Sequence, residues 1–137
     1  MNIQKWLSRN TGPLKGKTAA VTGGTGCLGA AVCREILALS GRLILIARNP
    51  KKAEGLLSGL KKDFPKADVR CLYTDLSDMQ SVGKLCAELK KEVIDVLFLS
   101  AGAYHIPRKT CASGLDNVFT INFMSHYRIV KELLPQL

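Results

Sequence analysis

The chain has 137 residues, 47% of them hydrophobic, and a formal net charge of +9. That length and apolar share suit one compact domain with a buried core, no run approaches the roughly 18 apolar residues of a membrane span, and residues 1–17 lack the apolar stretch of a secretory signal. A soluble, cytoplasmic protein is expected.

Residues 1–16 read as a lead-in with one amphipathic turn around Trp6-Leu7, and residues 17–137 as the folded unit. Thr18 to Thr22 is a short apolar run stopped by glycines, the pattern of a strand buried on both faces. Val32, Ile36 and Leu39 then recur at helical spacing with Cys33 and Leu37 beside them. Gly41 is expected to end that helix, and Arg42 to Ala47 reads as a second buried strand. A helix beginning near Pro50 carries Leu56, Leu57 and Leu60 and stops before Pro65. Val69 to Tyr73 is the third strand; Ser77 or Asp78 caps a helix bearing Val82, Leu85, Cys86 and Leu89; Ile94 to Leu99 is the fourth strand. Gly114 to Leu134 is a long helical pattern that Pro135 closes. Strand and helix alternate throughout, so the fold class is α/β: a Rossmann-like, doubly wound parallel sheet, truncated after about four strands.

The positive charge is spread rather than clustered. Lys51, Lys52, Lys61, Lys62, Lys84, Lys90 and Lys91 alternate with Glu54, Asp63, Glu88 and Glu92, as on solvated helix faces, and no nucleic-acid surface is expected. The net field still favours anionic small molecules. The five cysteines (Cys27, Cys33, Cys71, Cys86, Cys111) form no Cys-x-x-Cys pair and read as reduced, partly buried thiols. His105 and His126 have no ligand-spaced partner, so no metal site is expected.

The segment with chemical content is Val21-Thr22-Gly23-Gly24-Thr25-Gly26-Cys27-Leu28-Gly29, where the first strand hands over to the first helix. Glycines permit a tight turn and let backbone approach a pyrophosphate, while unpaired N–H groups at a helix N-terminus point at the anion. The Thr22 and Thr25 hydroxyls are candidates to add hydrogen bonds. A P-loop is excluded, because no Gly-Lys-Ser/Thr ends the turn.

These residues resemble the Thr-Gly-x-x-x-Gly-x-Gly signature of the short-chain dehydrogenase/reductase family. Cys27 stands where many members carry the middle glycine, whereas Gly23, Gly26 and Gly29 fit the spacing of the extended members. Cys27 and Leu28 are cofactor-binding candidates of this turn; Cys27 is either a side chain near the phosphates or, the favoured reading, a small, buried packing residue. At the end of the second strand, where an acid would bind ribose hydroxyls, the chain has Ala47 followed by Arg48. A cation there accommodates a 2′-phosphate, so NADP(H) is favoured over NAD(H); the alternative is an exposed loop arginine. By resemblance, Asp75 and Leu76 flank the adenine, with helix capping as the alternative for Asp75. Ser100-Ala101-Gly102 resembles the second half of the family's Asn-Asn-Ala-Gly and would run beside the nicotinamide ribose.

The stretch from Gly114 through Asn122 and His126 to Pro135 resembles the long helix of retinol-dehydrogenase-like members. In those proteins the residue corresponding to Asn122 belongs to a catalytic Asn-Ser-Tyr-Lys group and holds a proton-relay water. Tyr127 and Lys131 have Tyr-x-x-x-Lys spacing, but in the family that motif lies on the next helix. On an ideal helix Tyr127 stands about 140° from Asn122, so it reads as packing. The resemblance implies a carbonyl or alcohol oxidoreductase, here without its Tyr-x-x-x-Lys, with a nicotinamide dinucleotide and a small-molecule substrate as partners and a homo-oligomer left open. The alternative is a non-catalytic NADP(H)-binding or regulatory module.

Overall fold

In a computed structural model the described residues are 3–137. The elements follow the chain as helix α1 (Ile3–Asn10), strand β1 (Thr18–Thr22), α2 (Cys27–Ala38), β2 (Arg42–Ala47), α3 (Pro50–Asp63), β3 (Val69–Tyr73), α4 (Met79–Leu89) and β4 (Val96–Leu99). A final helix is built from three joined pieces: α5 (Asn117–Phe119), a π-helical segment (Thr120–Met124) and α6 (Ser125–Leu133), after which Leu134–Gln136 forms a 3-10 turn. No helix among the described residues is long and apolar enough to cross a membrane.

The four strands form one parallel sheet in the order β3-β2-β1-β4, with Thr18 opposite Arg42, Ala19 opposite Val96 and Leu43 opposite Val69. Successive side chains of a strand leave opposite faces, and here both faces are covered. Ala19, Val21, Leu43 and Leu45 pack with Cys33, Ile36 and Leu37 of α2 and with Ala53 and Leu60 of α3. Ala20, Ile44 and Ile46 pack with Val82, Leu85 and Leu89 of α4 and with Ile129 and Leu133 of α6. Burying each large aliphatic side chain contributes about 1.5–3 kcal/mol, and this two-sided burial explains the unbroken apolar runs of β1 and β2.

The first three strands have the boundaries the sequence predicts, and three other element ends differ. The turn after α2 takes its positive φ at Ser40 (64°), not at Gly41. A Cβ at Gly41 would stand 3.1 Å from the Ile36 carbonyl oxygen and from Leu14 Cβ, so its smallness serves close packing. Strand β4 starts at Val96 because Asp95 is occupied: its carboxylate accepts from Lys17 Nζ at 2.7 Å and from the Thr18 N–H at 2.9 Å. The last helix starts at Asn117, capped by Asp116, whose Oδ1 accepts from the Phe119 N–H at 2.9 Å; Gly114 turns the loop before it at φ +81°.

Candidate functional site

A cleft of about 350 Å³ opens at the C-terminal ends of the strands, between the turn after β1 and the loops after β2, β3 and β4. In doubly wound sheets this is the crevice beside the point where strand order reverses, here between β1 and β4. Gly23, Thr25 and Gly26 line it from the first loop, Arg48, Asn49 and Lys52 from the second, Asp75 and Leu76 from the third, and Ser100, Ala101 and Gly102 from the fourth. The first and last of these loops are more than 70 positions apart in sequence; the parallel register brings them together.

The turn is shaped by what glycine lacks. Gly23 has φ +70°, and a Cβ on it would lie 2.6 Å from the Ala101 nitrogen, so this position fits neither an L side chain's backbone nor its volume. At Gly29 a Cβ would meet the Gly23 carbonyl oxygen at 2.3 Å, so α2 reaches the turn only through glycine. Gly24 faces the core, where a Cβ would collide with Leu45 Cδ1. Gly26 precedes α2 and no side chain caps that helix, so its first-turn N–H groups remain for an anion.

Thr22 lies behind the turn, fully buried, and does not line the cleft. Its hydroxyl meets the Ala101 N–H at 3.2 Å and His126 Nε2 at 3.3 Å, while its carbonyl accepts from Ser100 Oγ at 2.7 Å. Thr25 carries the hydroxyl that does face the cleft. The expectation of a buried Cys27 is corrected: Cys27 is exposed as the first residue of α2, and Leu28 beside it is 66% exposed. Both lie outside the cleft lining, with their side chains turned to solvent. The other thiols range from half-buried to buried; burial pushes Cys33 up to about 11, so it stays protonated.

Arg48 and Lys52 bring two cations to the cleft, and among the described residues neither is ion-paired. Asn49 Oδ1 caps α3 by accepting from the Lys52 N–H at 3.1 Å, which fixes the helix turn that carries Lys52. Asp75 Oδ1 accepts from the Ser77 N–H at 2.9 Å and from Ser77 Oγ at 2.7 Å; Oδ2 takes part in neither bond. Helix α4 is capped instead by Asp78, which accepts from the Gln80 N–H. Asp75 therefore holds the loop that shapes the cleft wall.

Asn122 sits in the π-helical segment and stands over the loop after β4. Its Oδ1 accepts from the Ala103 N–H at 2.7 Å and its Nδ2 donates to the Ala103 carbonyl at 3.0 Å, a two-point clamp on that loop. It adjoins the cleft, whose lining includes the neighbouring Ile121 and Ala103. Tyr127 faces away and lies on the surface, 53% exposed, stacked on Phe123 at 6.2 Å with Lys131 Nζ 5.9 Å from its ring centroid. Its packing is thus on an outer aromatic ladder that continues to Phe119, and not in the core.

Sequence reasoning overlooked Lys52, Asn49, Thr74 and His105 as cleft residues and the contact of His126 with Thr22. Lys52 had a legible signal, a cation in the first helical turn after Arg48. His105 had none, because a loop residue has no periodicity to follow.

The short chain dehydrogenase family model matches residues 17–137. The chain belongs to the short-chain dehydrogenase family. It is 31% identical over 124 residues to a WW domain-containing oxidoreductase of Drosophila melanogaster, covering 88% of this chain and 30% of that protein. It is 28% identical over 127 residues to human polyprenol dehydrogenase, covering 91% and 38%. Among solved structures, an uncharacterised protein from Mycobacterium paratuberculosis superposes with a TM-score of 0.82 at 24% identity, covering 95% of this chain and 46% of that one. A short-chain dehydrogenase from Sphingobium yanoikuyae in complex with NADPH superposes at 0.76 with 21% identity, covering 87% and 47%. The chain thus spans less than half the length of these relatives, and the structural likenesses establish the fold, a Rossmann-like α/β sheet of the family.

Proposed function

We propose that the cleft binds NADP(H) in preference to NAD(H), and that residues 17–137 are the cofactor-binding part of an oxidoreductase acting on a carbonyl or alcohol. The observation that carries this reading is the placement of Arg48 and Lys52, without acidic partners, on the same cleft as the glycine turn. A pyrophosphate suits the uncapped backbone N–H groups at the start of α2, and a 2′-phosphate suits the Arg48 fork with Lys52 beside it. Asp75 and Leu76 fit the adenine end; Ser100, Ala101 and Gly102 fit the nicotinamide ribose end. Two solved relatives whose structures contain NADPH or NADP agree with this choice. When bound, such a dinucleotide supplies or accepts the hydride; this chain's residues bind and orient it, and Asn122 holds the loop after β4 that borders it.

Titration calorimetry tests the cofactor choice. Arg48→Ala is expected to weaken NADPH binding by about 10- to 100-fold, the scale of a lost charge-assisted hydrogen bond, with NADH almost unaffected. Equal losses for both would remove the 2′-phosphate role.

One observation favours the non-catalytic reading for this chain taken alone. The Tyr127 and Lys131 pair turns to solvent, and among the described residues no tyrosine lines the cleft. A phenol must reach the developing alkoxide to protonate it. The purified chain is therefore expected not to consume NADPH with a carbonyl compound; consumption abolished by Tyr127→Phe would overturn this.

A further inference from the structure

His126 is half-buried beneath the cofactor turn, on the helix that carries Asn122. Its Nε2 lies 3.3 Å from the hydroxyl of Thr22, and that hydroxyl lies 3.2 Å from the Ala101 nitrogen. An amide N–H only donates, so Thr22 Oγ accepts from Ala101. The hydroxyl's own hydrogen then needs an acceptor inside a fully buried site, and among the described residues His126 Nε2 is the atom in reach. That nitrogen must offer a lone pair, which puts the ring proton on Nδ1. Both hydrogens in the row point one way: from Ala101 N–H to Thr22, and from Thr22 to His126.

We propose that neutral His126 is a positioning residue, the link that holds the Asn122 helix segment in register with the cofactor turn and with the loop after β4. The inference rests on the reading of the cleft as a dinucleotide site. Three elements meet at this row: the end of β1, the loop after β4 that faces the cleft through Ser100 to Ala103, and the first turn of α6, which continues the π-helical segment that carries Asn122. Asn122 clamps that loop at Ala103 through its side chain, and His126 ties it at Ala101 through Thr22, two residues away. Losing the second tie frees one side of the wall on which the nicotinamide end would rest. A ring protonated on both nitrogens cannot accept from Thr22, and the buried hydroxyl hydrogen is then stranded.

Burial holds the His126 ring below its ordinary range, so the neutral form prevails at pH 7. From β1 the ring faces Thr22, from its own helix Asn122, and no charged group contributes to its titration. His105, on the loop after β4, is the other histidine, and it lines the cleft itself.

The experiment has two arms on the full chain. In ¹⁵N-labelled protein without cofactor, long-range proton–nitrogen spectra at pH 7.5 are expected to show His126 as the Nδ1–H tautomer, with the Nε2 resonance moved by Thr22→Val and restored by Thr22→Ser. An Nε2–H tautomer, or an Nε2 resonance indifferent to Thr22→Val, overturns the proposal. In the second arm NADPH is titrated by fluorescence between pH 8 and pH 5.5. His126→Phe is expected to bind about tenfold more weakly at pH 8, the scale of one buried hydrogen bond. Wild type and His105→Phe should lose further affinity on acidification beyond what His126→Phe loses. Wild-type affinity and pH profile in His126→Phe overturns the role. If wild type fails to bind NADPH at all, the cofactor reading falls, and the tautomer spectra still decide for or against the hydrogen-bonded row.

Discussion

The two ends of the sheet have been treated oppositely by the sequence. At the N-terminal ends of the strands a network of ion pairs forms: Arg42 pairs with Glu92 at 2.6 Å and with Asp68 at 3.0 Å, Arg70 with Glu92 at 2.5 Å and Glu88 at 3.0 Å, and Lys17 with Asp95 at 2.7 Å. At the C-terminal ends, on the cleft, Arg48 and Lys52 form no ion pair among the described residues and α2 has no capping side chain. One end closes on itself, and the other presents charge and N–H donors complementary to an anion. A folded chain gains little by leaving donors and cations unmatched, so the open end is where function is to be sought.

Substitutions should separate the two ends. The largest effect is expected from Gly29→Val, whose side chain must displace the Gly23 backbone; a loss of about 2–3 kcal/mol in urea unfolding is expected, together with loss of NADPH binding. Retained stability would show that the turn relaxes and that the close approach is not required. Next, Glu92→Gln at the opposite end should cost about 1 kcal/mol, since both arginine partners are partly solvated, and should leave NADPH affinity unchanged. Changed affinity would mean that the ends communicate.

Acid should act first on the paired end. Glu92 is held below its usual range chiefly by its hydrogen bond to Arg42 and then to Arg70, Glu88 chiefly by Lys91, and Asp95 chiefly by Lys17. These folded-state values lie below the unfolded ones, so the pairs stabilise fully above about pH 4.5 and lose that contribution as pH falls through the lowered values. Circular dichroism against pH should therefore show stability falling below pH 4.5, less steeply in Glu92→Gln. The smallest effect is expected from Tyr127→Phe, since its hydroxyl is at the surface; both unfolding and NADPH titration should match wild type.

Much of this was legible without coordinates, and for a physical reason. β1, β2 and β3 were readable to the residue because strands in a parallel sheet carry apolar runs bounded by glycine, proline and charge. The last helix was readable as a helix but not as one with a π-helical segment at Thr120–Met124, because that register depends on what Asn122 grips across the gap. Thr22 illustrates the same limit: its position in the glycine turn suggested a phosphate contact, and burial turned its hydroxyl inward.

The sequence by itself determined the alternation of strand and helix, the glycine turn, and the cation at Arg48 just after Ala47, where an acid would otherwise stand, because these depend on near neighbours and on backbone sterics. Only the tertiary structure decided that Lys52 joins Arg48 on one cleft, that Cys27 faces solvent, and that His126 meets Thr22 across 104 residues of chain. Those are matters of packing between elements, and a side chain's partners across a sheet are set by register and crossover, which no local pattern encodes.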